Sequence, residues 1–317
     1  MDEATAQTQW REAIDYLGEG QLKDAERLLR GLIEGGATGP EPRYMLAFAL
    51  LAQGRYEEGF KYYQARSEIR QFGLNLPLLP FPRWRGEPLT GKRILVWREQ
   101  GFGDEIMFSR FALLLADRGA QVTLAVRPML ARLLEGTPVA ILPIGGSFTF
   151  SGFDFVASLC DLPHLTGATL EHLPSPWPIR RRLRRTTGDI GIVTRGAPQH
   201  ANDRHRSLPL ELANELLGLP RAKSLHPEDT GVRCFHETAE LISGLDLVIS
   251  VDTAIAHLAA SMGTPTWILL PHHRTDWRWM RERADTPWYP SARLYRQTPA
   301  GRWDDVIAAL RADLAWR

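Results

Sequence analysis

Residues 245–270 constrain the fold most, because they read in turn as strand, sharp turn, helix, break and strand. The run LDLVISV at 245–251 is short, apolar and β-branched, as a strand buried on both faces should be. Asp252 and Thr253 then supply a helix cap. Ala254, Ile255, Leu258, Ala259 and Met262 follow at helical spacing until Gly263 stops the helix. His257 stands about one and a half helical turns beyond Asp252. A strand end that feeds a helix N-terminus presents free N–H groups at the positive end of the helix dipole, which suits a phosphate or another anion. On these residues alone, a plain helix cap with a packed histidine explains the pattern equally well.

The same alternation recurs upstream. Strands are expected at 93–97, 121–126, 139–142 and 153–159, with a helical stripe of Ile106, Phe108, Phe111, Leu114 and Leu115 and a second helix opened by Pro128. A further strand at 189–194 leads into a polar loop at 195–207, a helix near Pro209 and another over 237–242. The tail at 303–314 is an amphipathic helix. Strands alternating with helices imply parallel sheets covered on both sides. The polar loop after the first strand lies where open α/β sheets bind ligands.

The N-terminal part follows a different rule. Ala13 and Ala47, Leu17 and Leu51, Gly20 and Gly54, and Ala25 and Gly59 all recur at one offset, the 34-residue tetratricopeptide period. Fewer than three such repeats are marginal alone, so this unit should lean on the α/β part of the chain. The expected organisation is a helical module over 1–73, a proline-rich linker over 74–91, a first α/β unit over 92–185 and a second over 186–317. In the linker, Leu78, Leu79, Phe81 and Trp84 are placed to pack on a surface.

A net charge of +1 with 44% hydrophobic residues gives no reason to expect a nucleic-acid partner. The arginine-rich run at 180–185 is short and reads as a solvated linker. Cys160 and Cys234 have no metal-site spacing and suggest a reducing compartment. No basic, continuously apolar leader is visible, and no apolar run approaches the roughly 20 residues that span a bilayer. A cytoplasmic location without a transmembrane segment is expected.

Several chemistries lack their signatures: there is no Walker A loop, no complete GxGxxG, no HExxH, no Gly-x-Ser-x-Gly elbow and no carboxylate cluster for a metal. With those set aside, the chain resembles the family 9 glycosyltransferases, the heptosyltransferase-like group, in the branch with an N-terminal tetratricopeptide segment. The resemblance rests on WRG at 84–86, EQGFGD at 99–104, NDRHRS at 202–207, DTAIAHLA at 252–259, DWRW at 276–279 and WYP at 288–290.

It implies the GT-B architecture, two Rossmann-like domains facing one cleft, with the C-terminal domain holding a nucleotide-sugar donor and the N-terminal domain facing the acceptor. It further implies inverting transfer without metal or other cofactor. By position, Asp104 corresponds to the proposed general base. Arg206, with Arg204 as competitor, falls at the diphosphate. Asp252, Thr253 and Ala254 fall at the donor, with His257 nearby as a catalytic candidate. Gln100, Gly103, Asp276 and Trp277 are assigned to the acceptor side or to a loop over the site. A protein or glycan acceptor is expected on the tetratricopeptide helices. Two other readings stay open: a non-catalytic docking protein with a degenerate transferase half, and a nucleotide-sugar epimerase.

Overall fold

The computed structural model describes residues 2–36, 39–69, 79–146, 151–179 and 188–315. Four helices come first: α1 (Glu3–Glu19), α2 (Leu22–Glu34), α3 (Pro40–Ala52) and α4 (Tyr56–Tyr63). Gly20 and Gly54, the repeated glycines, both sit at positive φ in the turns that join helix pairs, where a side chain would be strained. Gly59 lets α4 approach α3 closely, since a Cβ there would lie 2.7 Å from the Leu51 side chain.

Residues 79–91 are docked rather than free. Arg83 bridges to Val156, the Trp84 N–H donates to the Val156 carbonyl at 2.9 Å, and Phe81 packs edge-on against Phe153. The packing expected of Leu78, the arginine-rich run at 180–185 and the junction at 185–186 lie outside the described residues.

The first α/β unit holds β1 (Arg93–Trp97), α5 (Phe102–Asp117), β2 (Gln121–Val126), α6 (Pro128–Leu134), β3 (Ala140–Pro143), β4 (Phe155–Ser158) and α7 (Leu162–Thr166). Its sheet is parallel, in the order β3-β2-β1-β4. The second holds β5 (Ile190–Val193), α8 (Asp203–Arg206), α9 (Leu210–Leu217), β6 (Ala222–Ser224), α10 (Pro227–Thr230), α11 (Phe235–Ile242), β7 (Leu247–Val251), α12 (Ala254–Ser261), β8 (Thr266–Leu270), β9 (Ala292–Arg296) and α13 (Trp303–Leu314). Its sheet, β6-β5-β7-β8-β9, is also parallel. The chain is thus an α/β protein with two parallel sheets. The strand order reverses beside β1 in one and beside β5 in the other, and the polar loops leave from these points, where such sheets bind ligands.

One apolar core runs through all three parts, joining Tyr56, Phe60 and Tyr63 of α4 to Phe108 and Phe111 of α5, Leu258 of α12, and Trp277 and Trp288. Tyr56 stacks on Trp288 with centroids 5.7 Å apart, and Phe60 meets Trp277 edge-on at the same distance. A buried ion cluster adds to this. Arg66, just after α4, grips Glu99 through two bonds of 2.6 and 2.8 Å and Asp161 at 2.6 Å. No helix of the described residues is long and apolar enough to cross a membrane.

Candidate active site

The three parts enclose a cavity of about 1020 Å³. One wall is the loop from Gln100 to Asp104, and a second is formed by residues 195–206 and 252–257. Arg274, Asp276 and Arg278 close a third side, while half-buried Ile14, Leu17, Leu22, Met45 and Phe48 of the helical module supply an apolar face.

Two helix N-termini converge on this space. A Cβ on Gly103, in the first turn of α5, would lie 2.8 Å from His257 Cδ2 and 3.6 Å from Ala254 Cα of α12. Only glycine permits that approach. Both helices direct the positive ends of their dipoles toward the cavity, a field that favours anions. The N-cap of α12 is Thr253 rather than Asp252; its hydroxyl lies 3.1 Å from Ser250 Oγ.

Asp104 lies in the first turn of α5 and accepts the Gly101 N–H at 2.9 Å through Oδ2, while Oδ1 accepts from Arg278 Nη2. Burial pushes its pKa up, and the Arg278 guanidinium is the largest opposing influence. Gln100 adopts φ 64° and is held from both sides: its amide donates to the Tyr63 hydroxyl at 2.7 Å and its carbonyl accepts from Arg127.

Across the cavity, Arg206 donates to the Asp252 carbonyl at 2.8 Å and pairs with Asp203 at 3.1 Å. Gly196 makes this possible, since a Cβ there would stand 2.4 Å from both Arg206 Nη2 and Asp203 Oδ1. The carboxyl of Asp252 is pushed up to about 6, first by burial and then by the neighbouring Asp276 carboxylate. Asp276 accepts both from the Arg278 backbone N–H at 3.0 Å and from its Nη1 at 2.9 Å.

Three expected roles change. Arg204 is exposed, bonds to the neighbouring His205 ring and does not line the cavity, so Arg206 alone of the pair reaches it. His257 is buried, with Nδ1 2.8 Å from the Tyr289 hydroxyl and its ring against Trp279. Burial, reinforced by Arg278, drives its pKa down to about 3. It is therefore neutral near pH 7, which leaves the catalytic candidate poorly suited to act as an acid or base there. Trp277 lines the cavity but is 1% exposed and packs among Tyr56, Phe60 and Tyr63, so it chiefly anchors the loop.

The contacts of Arg278, Arg127 and Arg66 were not anticipated. Arginines are common in this sequence, and only the fold shows which carboxylates they meet.

Residues 231–286 match the model of glycosyltransferase family 9 (heptosyltransferase). Protein FlbA of Caulobacter vibrioides is 24% identical over 93% of this chain and 58% of its own length, so the chain spans little more than half of that curated relative. Among solved structures, the family 9 glycosyl transferase of Veillonella parvula overlaps 72% of this chain and 91% of its own, at 11% identity and a TM-score of 0.48. The iron-containing dodecameric glycosyltransferase TibC of enterotoxigenic Escherichia coli overlaps 63% and 65%, at 12% identity and a TM-score of 0.45. The family match supports a glycosyltransferase.

Proposed function

We propose that the chain transfers a sugar, with inversion and without a metal, from a nucleotide-sugar to an acceptor held between Asp104 and the helical module. The observation that carries this reading is where the matched stretch lies. Residues 231–286 include β7, α12, Asp252, Asp276 and Arg278, and so supply part of the second wall of the cavity and its third side.

In the proposed step the acceptor O–H gives its proton to an Asp104 oxygen as the acceptor oxygen bonds to the anomeric carbon. The bond from that carbon to the diphosphate breaks on the opposite face, and its electron pair leaves with the nucleoside diphosphate. Arg206 and the first N–H groups of α12 are the groups available to stabilise that charge. A cavity of about 1020 Å³ lies at the upper end of the small-molecule range, enough for a donor and the reacting part of an acceptor. Helices α1 to α4 fit a short tetratricopeptide-like unit, and their apolar face suits a protein acceptor better than a free glycan. The cysteines, both free, agree with a reducing cytoplasm.

Calorimetric titration with UDP, GDP, ADP and CMP is the first test, and one of them should bind. With the matching donor, Asp104→Asn should lower transfer on the order of 10²-fold or more while nucleotide affinity holds. Silence across the nucleotide panel would remove the reading.

A non-catalytic docking role is favoured by one observation. Asp104 is already engaged by Arg278 and Gly101, and Arg206 by Asp252 and Asp203. That role predicts no nucleotide binding at all. Epimerisation gives no use for an apolar wall built from a separate helical module.

A further inference from the structure

We propose that Arg278 is a positioning residue, which holds the Asp104 carboxylate ionised and aimed into the cavity so that it can take a proton. The inference rests on Asp104 being the base.

The geometry leaves Arg278 little freedom. It is 6% exposed, its guanidinium lies 4.5 Å from the Trp277 ring centroid and 5.6 Å from that of Phe108, and its two terminal nitrogens are divided between carboxylates. Nη1 contacts both oxygens of Asp276 at 2.9 Å, and Nη2 meets Asp104. A fork fixed by one carboxylate thus presents its other tip to the second, a use of planar geometry that lysine cannot reproduce.

The loop that carries Arg278 is fastened by other parts of the chain. The Arg274 N–H donates to the Gly18 carbonyl of α1 at 2.8 Å, Asn202 donates to the Arg274 carbonyl at 3.0 Å, and Trp277 is held among the α4 aromatics. The helical module therefore fixes Arg278, and Arg278 in turn fixes Asp104.

The charges around the pair agree. Asp104 is faced by Arg278 and Asp276 from the loop and by Glu99 from its own side, with the Gly101 N–H on its Oδ2. Arg278 is faced by Asp276, Asp104 and Tyr63, and its charge also reaches Asp252 and His257 on the α12 side. Burial, Asp276 and Glu99 all favour protonated Asp104, a form that cannot serve as base. Arg278 is the nearby cation that opposes them. When the acceptor proton arrives on Asp104, Nη2 loses its anionic partner while Nη1 remains on Asp276.

The test tracks the Asp104 carboxyl carbon by NMR in the full chain labelled with carbonyl-enriched aspartate, the resonance being assigned with Asp104→Asn. In Arg278→Gln the Asp104 titration midpoint should move up. Arg278→Lys should return it part of the way, and Asp276→Asn should move it down by removing a like charge and freeing the fork. An Arg278→Gln midpoint equal to that of the unaltered chain overturns the proposal. If that variant does not fold, an unmoved midpoint in Asp276→Asn overturns it instead. With an active donor, the acid limb of the rate profile should shift up in Arg278→Gln with unchanged affinity for the bound nucleotide. Failure of UDP, GDP, ADP and CMP alike to bind defeats only the transferase reading, because the carboxyl titration reports on the pair whether or not the chain transfers sugar.

Discussion

Gly196 and Asp252 show how little room single residues have around Arg206. At Gly196 even a methyl group would occupy the space of the Arg206 guanidinium and the Asp203 carboxylate. Gly196→Ala should therefore displace Arg206 and weaken nucleotide binding by at least tenfold, about 1.4 kcal/mol, as read by calorimetry, with the fold retained in circular dichroism.

Asp252 gives a pH signature. Its carboxyl titrates near 6 in the folded chain, against about 3.9 when unfolded. The folded state thus holds the proton more tightly, and the stabilisation is complete below about pH 4 and is lost as pH rises through 6. Asp252→Asn removes this dependence, so denaturant unfolding should show the variant gaining on the unaltered chain between pH 5 and pH 7. The opposite slope would mean that Arg206 outweighs burial.

At the scale of elements, the strands with apolar sequence were the legible ones. Strands β7 and β8 are buried at every position and appear as mostly apolar runs, broken only by Ser250 and opened by Thr266. Strands β6 and β9, at the sheet edges, were missed: Ala222–Ser224 is short and polar, and Ala292–Arg296 carries arginines that read as loop. The glycines of the helical turns were legible because positive φ leaves few other choices.

Motif position brought Asp104, Arg206, Asp252 and Asp276 to one cavity. The pairing of Asp104 with Arg278, 174 residues away, has no local signal. Nor had the link between Arg66 and Glu99, which is made by packing an all-helical part against a sheet. That link can be weighed directly. Arg66→Met leaves the buried Glu99 and the half-buried Asp161 without their cation, so it should cost about 3 kcal/mol by chemical denaturation and loosen the loop that begins after Glu99.

For the whole molecule, the continuous core means that the helices are no appendage. Tyr56, Phe60 and Tyr63 cover Trp277 and Trp288, which are at most 1% exposed in the intact chain. A chain beginning at residue 79 should expose both indoles, bind hydrophobic dyes and lose its sharp unfolding transition, as monitored by tryptophan fluorescence.

The bond from the Arg274 N–H to the Gly18 carbonyl has a consequence for engineering. It joins the end of α1 to the loop that delivers Arg278, so the proposed acceptor surface and the residue proposed to ready the base are mechanically one piece. Grafting helices from a relative with another acceptor would bring a foreign seat for residues 271–281. Such a chimera needs the matching loop transplanted with the helices.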